Sequence, residues 1–193
     1  MVQTSKKLER QTVSPWFAEP EVDHIVQFYT DESQFAACTL EYIYSGLMRS
    51  EVCIVMATPE KLINLQKGLR RAGIDIGTAL SNGWYIAYDA EELLAAFMDD
   101  REIDARRFNR SVAKLVSHVS SDKRPIRIFS ELTAVLRQQN NRFALLQLEQ
   151  AFDDLLYQYE FSLYCAFPTV SDRDTYGEVY RKILAVHDHT FYS

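Results

Sequence analysis

The chain has 193 residues, of which 47% are hydrophobic and 25% charged, enough apolar material for one sizeable core and a length that fits one domain better than two. A net charge of -6 argues against direct nucleic-acid binding, which relies on a clustered basic surface. No apolar run approaches the roughly 20 residues of a membrane span, and no apolar segment follows the charged N-terminus, so a soluble cytoplasmic protein is expected.

Residues 1–20 are polar, broken by Pro15 and Pro20 and anchored only by Trp16 and Phe17. They predict a flexible arm ahead of one domain over residues 21–193. From Asp23 onward, short β-branched or aromatic runs alternate with longer stretches of helical period. The runs are HIVQFY, EVCIVMAT, WYIAYD, PIRIFS and FSLYCAF. Such alternation predicts a three-layer α/β fold, a mostly parallel central sheet with helices on both faces.

Helix punctuation places the loops. Asp31 and Gln34 have capping-box spacing after the first strand, ahead of an apolar stripe of Phe35, Tyr42 and Ile43. After the second, Thr58 and Pro59 take cap and first-turn positions, Leu62, Leu65 and Leu69 share a face, and Gly73 closes the helix. Asp89 and Glu92 follow the third strand, and Asp104 opens a helix bearing Phe108, Val112, Leu115 and Val119. Beyond a break at Asn140 and Asn141, a helix with Leu145, Leu148, Phe152 and Leu155 leads into the fifth strand, which Pro168 ends. A last helix carries Tyr176, Val179, Tyr180, Ile183 and Leu184 before the tail HDHTFYS.

In an open parallel sheet, ligands bind beyond the carboxyl ends of the strands, where helix N-termini point inward. Topology therefore nominates Tyr29, Thr30 and Asp31, then Thr58, Asp89, Ser130, Glu131 and Phe167. Asp31, Thr58 and Asp89 also read as plain helix caps. Glu131 is different, because a carboxylate directly after an apolar strand needs a partner when buried, and Thr58 and Tyr29 are its nearest candidates. The first strand-to-helix junction, HIVQFYTDESQF, has no glycine or lysine between Tyr29 and Gly46. It cannot wrap a triphosphate as the loop G-x-x-x-x-G-K-[ST] does.

No catalytic set, cofactor or metal site emerges from the spacing. The nucleophile elbow G-x-S-x-G is absent, and Cys38, Cys53 and Cys165 form no C-x-x-C pair, reading instead as reduced core thiols. His187, Asp188 and His189 read as a surface tail, His24 as a satisfied strand-end histidine, and His118 as a solvated residue near a helix end.

The runs DHIVQFY (23–29), YIYSGL (42–47) and EVCIV (51–55), followed by IRIFSEL (126–132), the pair Leu148-Glu149 and FSLYCAFP (161–168), resemble the MEDS sensory-domain family in their order. The resemblance spans about residues 23–188. It implies a RecA/KaiC-like fold with no functional phosphate-binding loop and a sheet ordered third, second, fourth, fifth and first strand. It also implies a non-enzymatic sensor of a small organic molecule that relays to a regulatory protein such as a histidine kinase or transcription regulator. Homo-oligomers are left open. The chain stops just after the matching segment, so output is expected from a separate partner, or the sequence is a piece of a larger regulator. Two alternatives remain: an interaction module without a ligand, and a residual nucleotide binder using Glu131.

Overall fold

The computed structural model describes residues 22–119, 124–168 and 173–192. The expected N-terminal arm lies outside them. All five predicted strands form: β1 (His24–Tyr29), β2 (Val52–Ala57), β3 (Tyr85–Asp89), then, in full chain numbering, β6 (Ile126–Ser130) and β7 (Phe161–Pro168). Between β3 and β6 runs a two-residue antiparallel ribbon, β4 (Met98–Asp99) with β5 (Glu102–Ile103), which the periodicity does not announce.

The main sheet has the order β3-β2-β6-β7-β1-β8, and each neighbouring pair is parallel. Its first five members follow the order implied by the resemblance. The sixth is a correction: β8 (His189–Tyr192) comes from the segment read as a surface tail, and it pairs Ile25 to Phe28 with His189 to Tyr192. A four-residue strand preceded by polar residues has too short a period to be recognised without its neighbour.

Helices cover both faces because alternate strand residues point to opposite sides. Ile25, Tyr29, Cys53, Val55 and Phe129 pack under α1 (Glu32–Met48), α2 (Pro59–Arg71) and α3 (Ile76–Ser81). Val26, Phe28, Ile54, Ile128 and Leu163 pack under α4 (Ala90–Phe97), α5 (Ala105–Val119), α6 (Leu132–Gln138), α7 (Arg142–Tyr159) and α8 (Arg173–Ala185). No helix among the described residues is long and apolar enough to cross a membrane.

The predicted aspartate caps are made, whereas Thr58, at the N-cap position of α2, makes no side-chain bond to a helix amide. Asp31 accepts from the Ser33 and Gln34 amides, Asp89 from Glu91 and Glu92, and Asp104 from Arg106 and Arg107. Gly73 follows α2 at φ +92°, the left-handed value that a helix-ending glycine supplies without Cβ strain. Asn141 caps α7 through the Ala144 amide.

Beneath α1, at the amino-terminal side of the sheet, lies a buried ion pair. Arg127 donates from Nε to Glu51 Oε2 at 2.6 Å and from Nη2 to Oε1 at 3.2 Å, and its Nη1 reaches the Tyr42 carbonyl and Ser45 Oγ. The guanidinium sits 4.5 Å from the Tyr42 ring centre. Gly46 makes room for it: a Cβ there would lie 2.7 Å from Cys53 Sγ and 3.1 Å from both Arg127 Cδ and Glu51 Oε2. Removing one partner strands the other charge in the core. Glu51→Leu should therefore cost about 3–5 kcal/mol in urea unfolding, whereas the double change Glu51→Leu with Arg127→Met should recover most of that loss.

Candidate functional site

A cleft of about 1050 Å³ opens between α1 and α2 at the carboxyl edge of the sheet. Phe35, Ala36 and Leu40 form one wall, Leu65 and Gly68 the other, and Ala57 and Phe129 lie at its base. Its size is at the top of the roughly 300–1,000 Å³ usual for small-ligand sites. Three polar residues, Thr58, Lys61 and Glu131, gather where β2 and β6 end.

Glu131 organises this polar end. Its side chain is only 2% exposed, so it cannot rely on water for its charge. Oε2 accepts from the Thr58 amide at 3.0 Å and the Thr58 hydroxyl at 3.2 Å, while Oε1 accepts from Lys61 Nζ. The Glu131 amide donates to the Met56 carbonyl at 2.8 Å, which carries the β2–β6 pairing one residue past β6. Thr58 occupies the N-cap position of α2, but its hydroxyl is spent on Glu131 rather than on a helix amide.

Lys61 is the residue that sequence reasoning passed over. It sits in the first turn of α2, where a cation opposes the helix dipole. That mismatch was a legible signal of a carboxylate nearby. The ammonium also lies 3.8 Å from Glu32 and 4.8 Å from the centre of the Phe35 ring. Phe129 was missed as well, being hidden within a strand run that reads wholly as core.

The other nominated residues go elsewhere. Tyr29 is buried and stacked on Phe35, with ring centres 4.2 Å apart, so it backs the cleft wall; burial and the nearby Glu32 and Glu131 push its phenol up. Asp31 is an exposed cap, its carboxyl lowered by the Ser33 hydroxyl and then by the Gln34 and Ser33 amides. Asp89 is likewise a cap. Ser130 is fully buried and accepts from the Leu132 amide at 3.4 Å. Phe167 belongs to the opposite face, packed edge-on against Phe28 and Tyr180. Asp31, Ser130 and Phe167 thus do not line the cleft; β-strand alternation sends Phe167 away from it.

The histidines also depart from expectation. His24 is fully buried at the start of β1, and the side chain of His187, read as part of a surface tail, is 0% exposed beside Glu149. Asp188 and His189 keep the exposed character expected of that segment. His118 lies where no side chain is described. Cys53 and Cys165 are buried as expected, and Cys38 is partly so.

A family model matches residues 23–188, described as MEDS, the methanogen/methylotroph, DcmR sensory domain. The chain belongs to the MEDS family. The MEDS chain also resembles the crystal structure of a KaiC-like protein from the hyperthermophilic archaeon Pyrococcus horikoshii OT3, with a TM-score of 0.63 at 12% identity over 90% of this chain and 71% of that one. At that identity the likeness is one of fold. No curated protein sequence matches the MEDS chain.

At the β1–α1 junction of this MEDS domain, Asp31 caps α1 with a carboxylate. In the cleft the lysine is already held by Glu131, a second acidic group that a phosphate would have to displace. ATP with Mg²⁺ is therefore expected to show no micromolar binding by calorimetric titration. A measured micromolar affinity would overturn that expectation.

Proposed function

We propose that this MEDS domain is a non-enzymatic sensor that takes a small organic molecule into the α1–α2 cleft and relays its presence to a regulatory partner protein. The supporting observation is the cleft itself, which sets the apolar side chains Phe35, Leu40, Leu65 and Phe129 beside a buried, prepaired carboxylate at the strand edge, with Ser33, Asn64 and Gln138 adding further polar groups to its lining. Apolar walls favour a hydrocarbon part, and the Thr58–Lys61–Glu131 end suits one hydroxyl or carbonyl group, which can share donors and acceptors without adding charge. The family name speaks for a sensory role.

Relay requires two arrangements that the ligand distinguishes. Glu131 ties α2 to the end of β6 through Thr58 and Lys61. A ligand group that competes for Lys61 or Glu131 would loosen or re-aim α2 against the sheet. The outer face of α2 carries Ile63, 53% exposed, beside a charged surface that a partner protein can read.

The test is a thermal-shift panel of short-chain alcohols, aldehydes and carboxylates on wild-type, Ala36→Trp and Glu131→Gln proteins. Ala36 lines the cleft and is exposed, so Trp fills the chamber with little effect on the core. At least one class should raise the wild-type melting temperature, lose that effect in Ala36→Trp, and bind at least about tenfold more weakly to Glu131→Gln. No stabilisation by any class, or stabilisation that survives Ala36→Trp, would overturn the proposal. If Glu131→Gln lowers melting while ligand response is untouched, the carboxylate is structural and the ligand end lies elsewhere in the cleft.

A further inference from the structure

We infer that His24, Glu149, Cys165 and His187 form a buried four-ligand site for a divalent transition-metal ion, with zinc the best match to the donors. The four come from β1, α7, β7 and the α8–β8 turn, and their ligand atoms all lie within 4.8 Å of one another. The cluster belongs to the face of the sheet opposite the cleft, so it is independent of the proposed ligand site.

The orientation of the two imidazoles carries the argument. His24 Nδ1 donates to the Val186 carbonyl at 2.8 Å, and His187 Nδ1 donates to the Ile183 carbonyl at 2.6 Å. Nδ1 of His24 also lies 3.4 Å from Asp153 Oδ1; in the metal-bound state each ring would be neutral with its proton on Nδ1, and both Nε2 lone pairs would face inward. Backbone acceptors that fix the outer nitrogen in this way are the usual support of metal-bound histidines. Inside, the two lone pairs meet a carboxylate: Glu149 Oε2 is 3.5 Å from His24 Nε2 and 3.4 Å from His187 Nε2. Cys165 Sγ lies 3.9 Å from His24 Nε2.

These separations are too long for charge-assisted hydrogen bonds, which close to about 2.7–2.9 Å. They are near the edges of a tetrahedral shell, about 3.4 Å between nitrogen and oxygen and about 3.6 Å between nitrogen and sulfur for ordinary zinc bond lengths. Neither Glu149 oxygen nor His187 Nε2 has a hydrogen-bond partner among the described residues, and the Thr133 hydroxyl faces the carboxylate outside hydrogen-bonding geometry. Acceptors converging in an apolar core call for a cation between them.

Charge balance agrees. A divalent ion with one thiolate, one carboxylate and two neutral imidazoles sums to zero, the arrangement a low-dielectric core tolerates best. Burial and the adjacent Glu149 hold the Cys165 thiol protonated without metal, so forming the sulfur–metal bond releases that proton to solvent. The imidazole rings lie nearly stacked, with centres 3.8 Å apart and tilted 31°, and would swing apart to take up tetrahedral directions as the ion binds. Soft sulfur, two nitrogens and one oxygen in a closed shell select zinc over magnesium or calcium. The ion would pin the α8–β8 turn to the sheet, beside the clamp in which Asp188 Oδ2 accepts from the His24 amide and the Asp188 amide donates to the His24 carbonyl.

Cobalt(II) titration of the full chain, first stripped with a chelator, tests the site. The expected result is the visible d–d spectrum of tetrahedral cobalt with a near-ultraviolet thiolate-to-cobalt band, saturating at one ion per chain and displaced by zinc. Zinc should raise the melting temperature of the stripped protein by roughly 5 °C or more. Cys165→Ser should remove the thiolate band, Cys38→Ser should keep it, and Glu149→Gln should weaken binding at least about tenfold. If Cys165→Ser does not fold, His187→Ala serves instead and should collapse the tetrahedral bands. A wild-type spectrum of hydrated octahedral cobalt, a thiolate band that survives Cys165→Ser, or melting indifferent to chelator and zinc would overturn the site.

Discussion

A parallel sheet covered by helices on both faces leaves almost no solvent for the side chains of its strands, and the rest of this molecule follows from that constraint. Each polar group inside the layers must find its partner on another element, so polar residues become the ties between elements. Arg127 on β6 meets Glu51 at the entry to β2, and the pair is capped by α1. Glu131 at the exit from β6 meets Thr58 and Lys61 of α2. The same strand is thus held by charge at both ends, with Ile128 and Phe129 providing apolar contact between them.

These ties differ in what they permit. The Arg127–Glu51 pair is enclosed, with side chains 4% and 1% exposed, and Tyr42 and Ser45 accept two further hydrogen bonds from the guanidinium. It can only hold. The Lys61–Glu131 pair is enclosed on the carboxylate side alone, since Lys61 is 31% exposed and opens on the cleft. A group entering from the cleft can compete with it, because the ammonium can re-solvate at modest cost while the carboxylate cannot. In the relay proposed above, this asymmetric pair is where occupancy of the cleft would move α2.

The C-terminal segment extends the same logic to the sheet edge. β8 is a short added strand beside β1, and Asp188 holds the start of β1 by accepting from the His24 amide through its carboxylate and donating its own amide to the His24 carbonyl. Tyr157 on α7 donates to the same carboxylate at 3.2 Å. His187, between α8 and β8, then turns its ring inward to His24 and Glu149. The edge is fixed by polar contacts because a strand with one neighbour buries little apolar surface of its own.

Local signals in the sequence were sufficient for the layered α/β class, the strands β1, β2, β3, β6 and β7, and the caps Asp31, Asp89 and Asp104, since each depends on residues within a few positions of one another. Topology also placed Glu131 beside Thr58, because consecutive β-α units bring their strand ends to one edge. What the tertiary structure alone decided was the choice among residues sharing that edge. Side-chain alternation turned Phe167 to the far face and Phe129 to the cleft, and the three-residue step from Thr58 brought Lys61 back over Glu131. It also decided β8 and the fate of His187: a histidine in a polar segment reads as solvated until Glu149, nearly forty residues earlier in α7, and His24, at the other end of the domain, are packed against it. Those partners meet only through the sheet order, and no window of local sequence contains it.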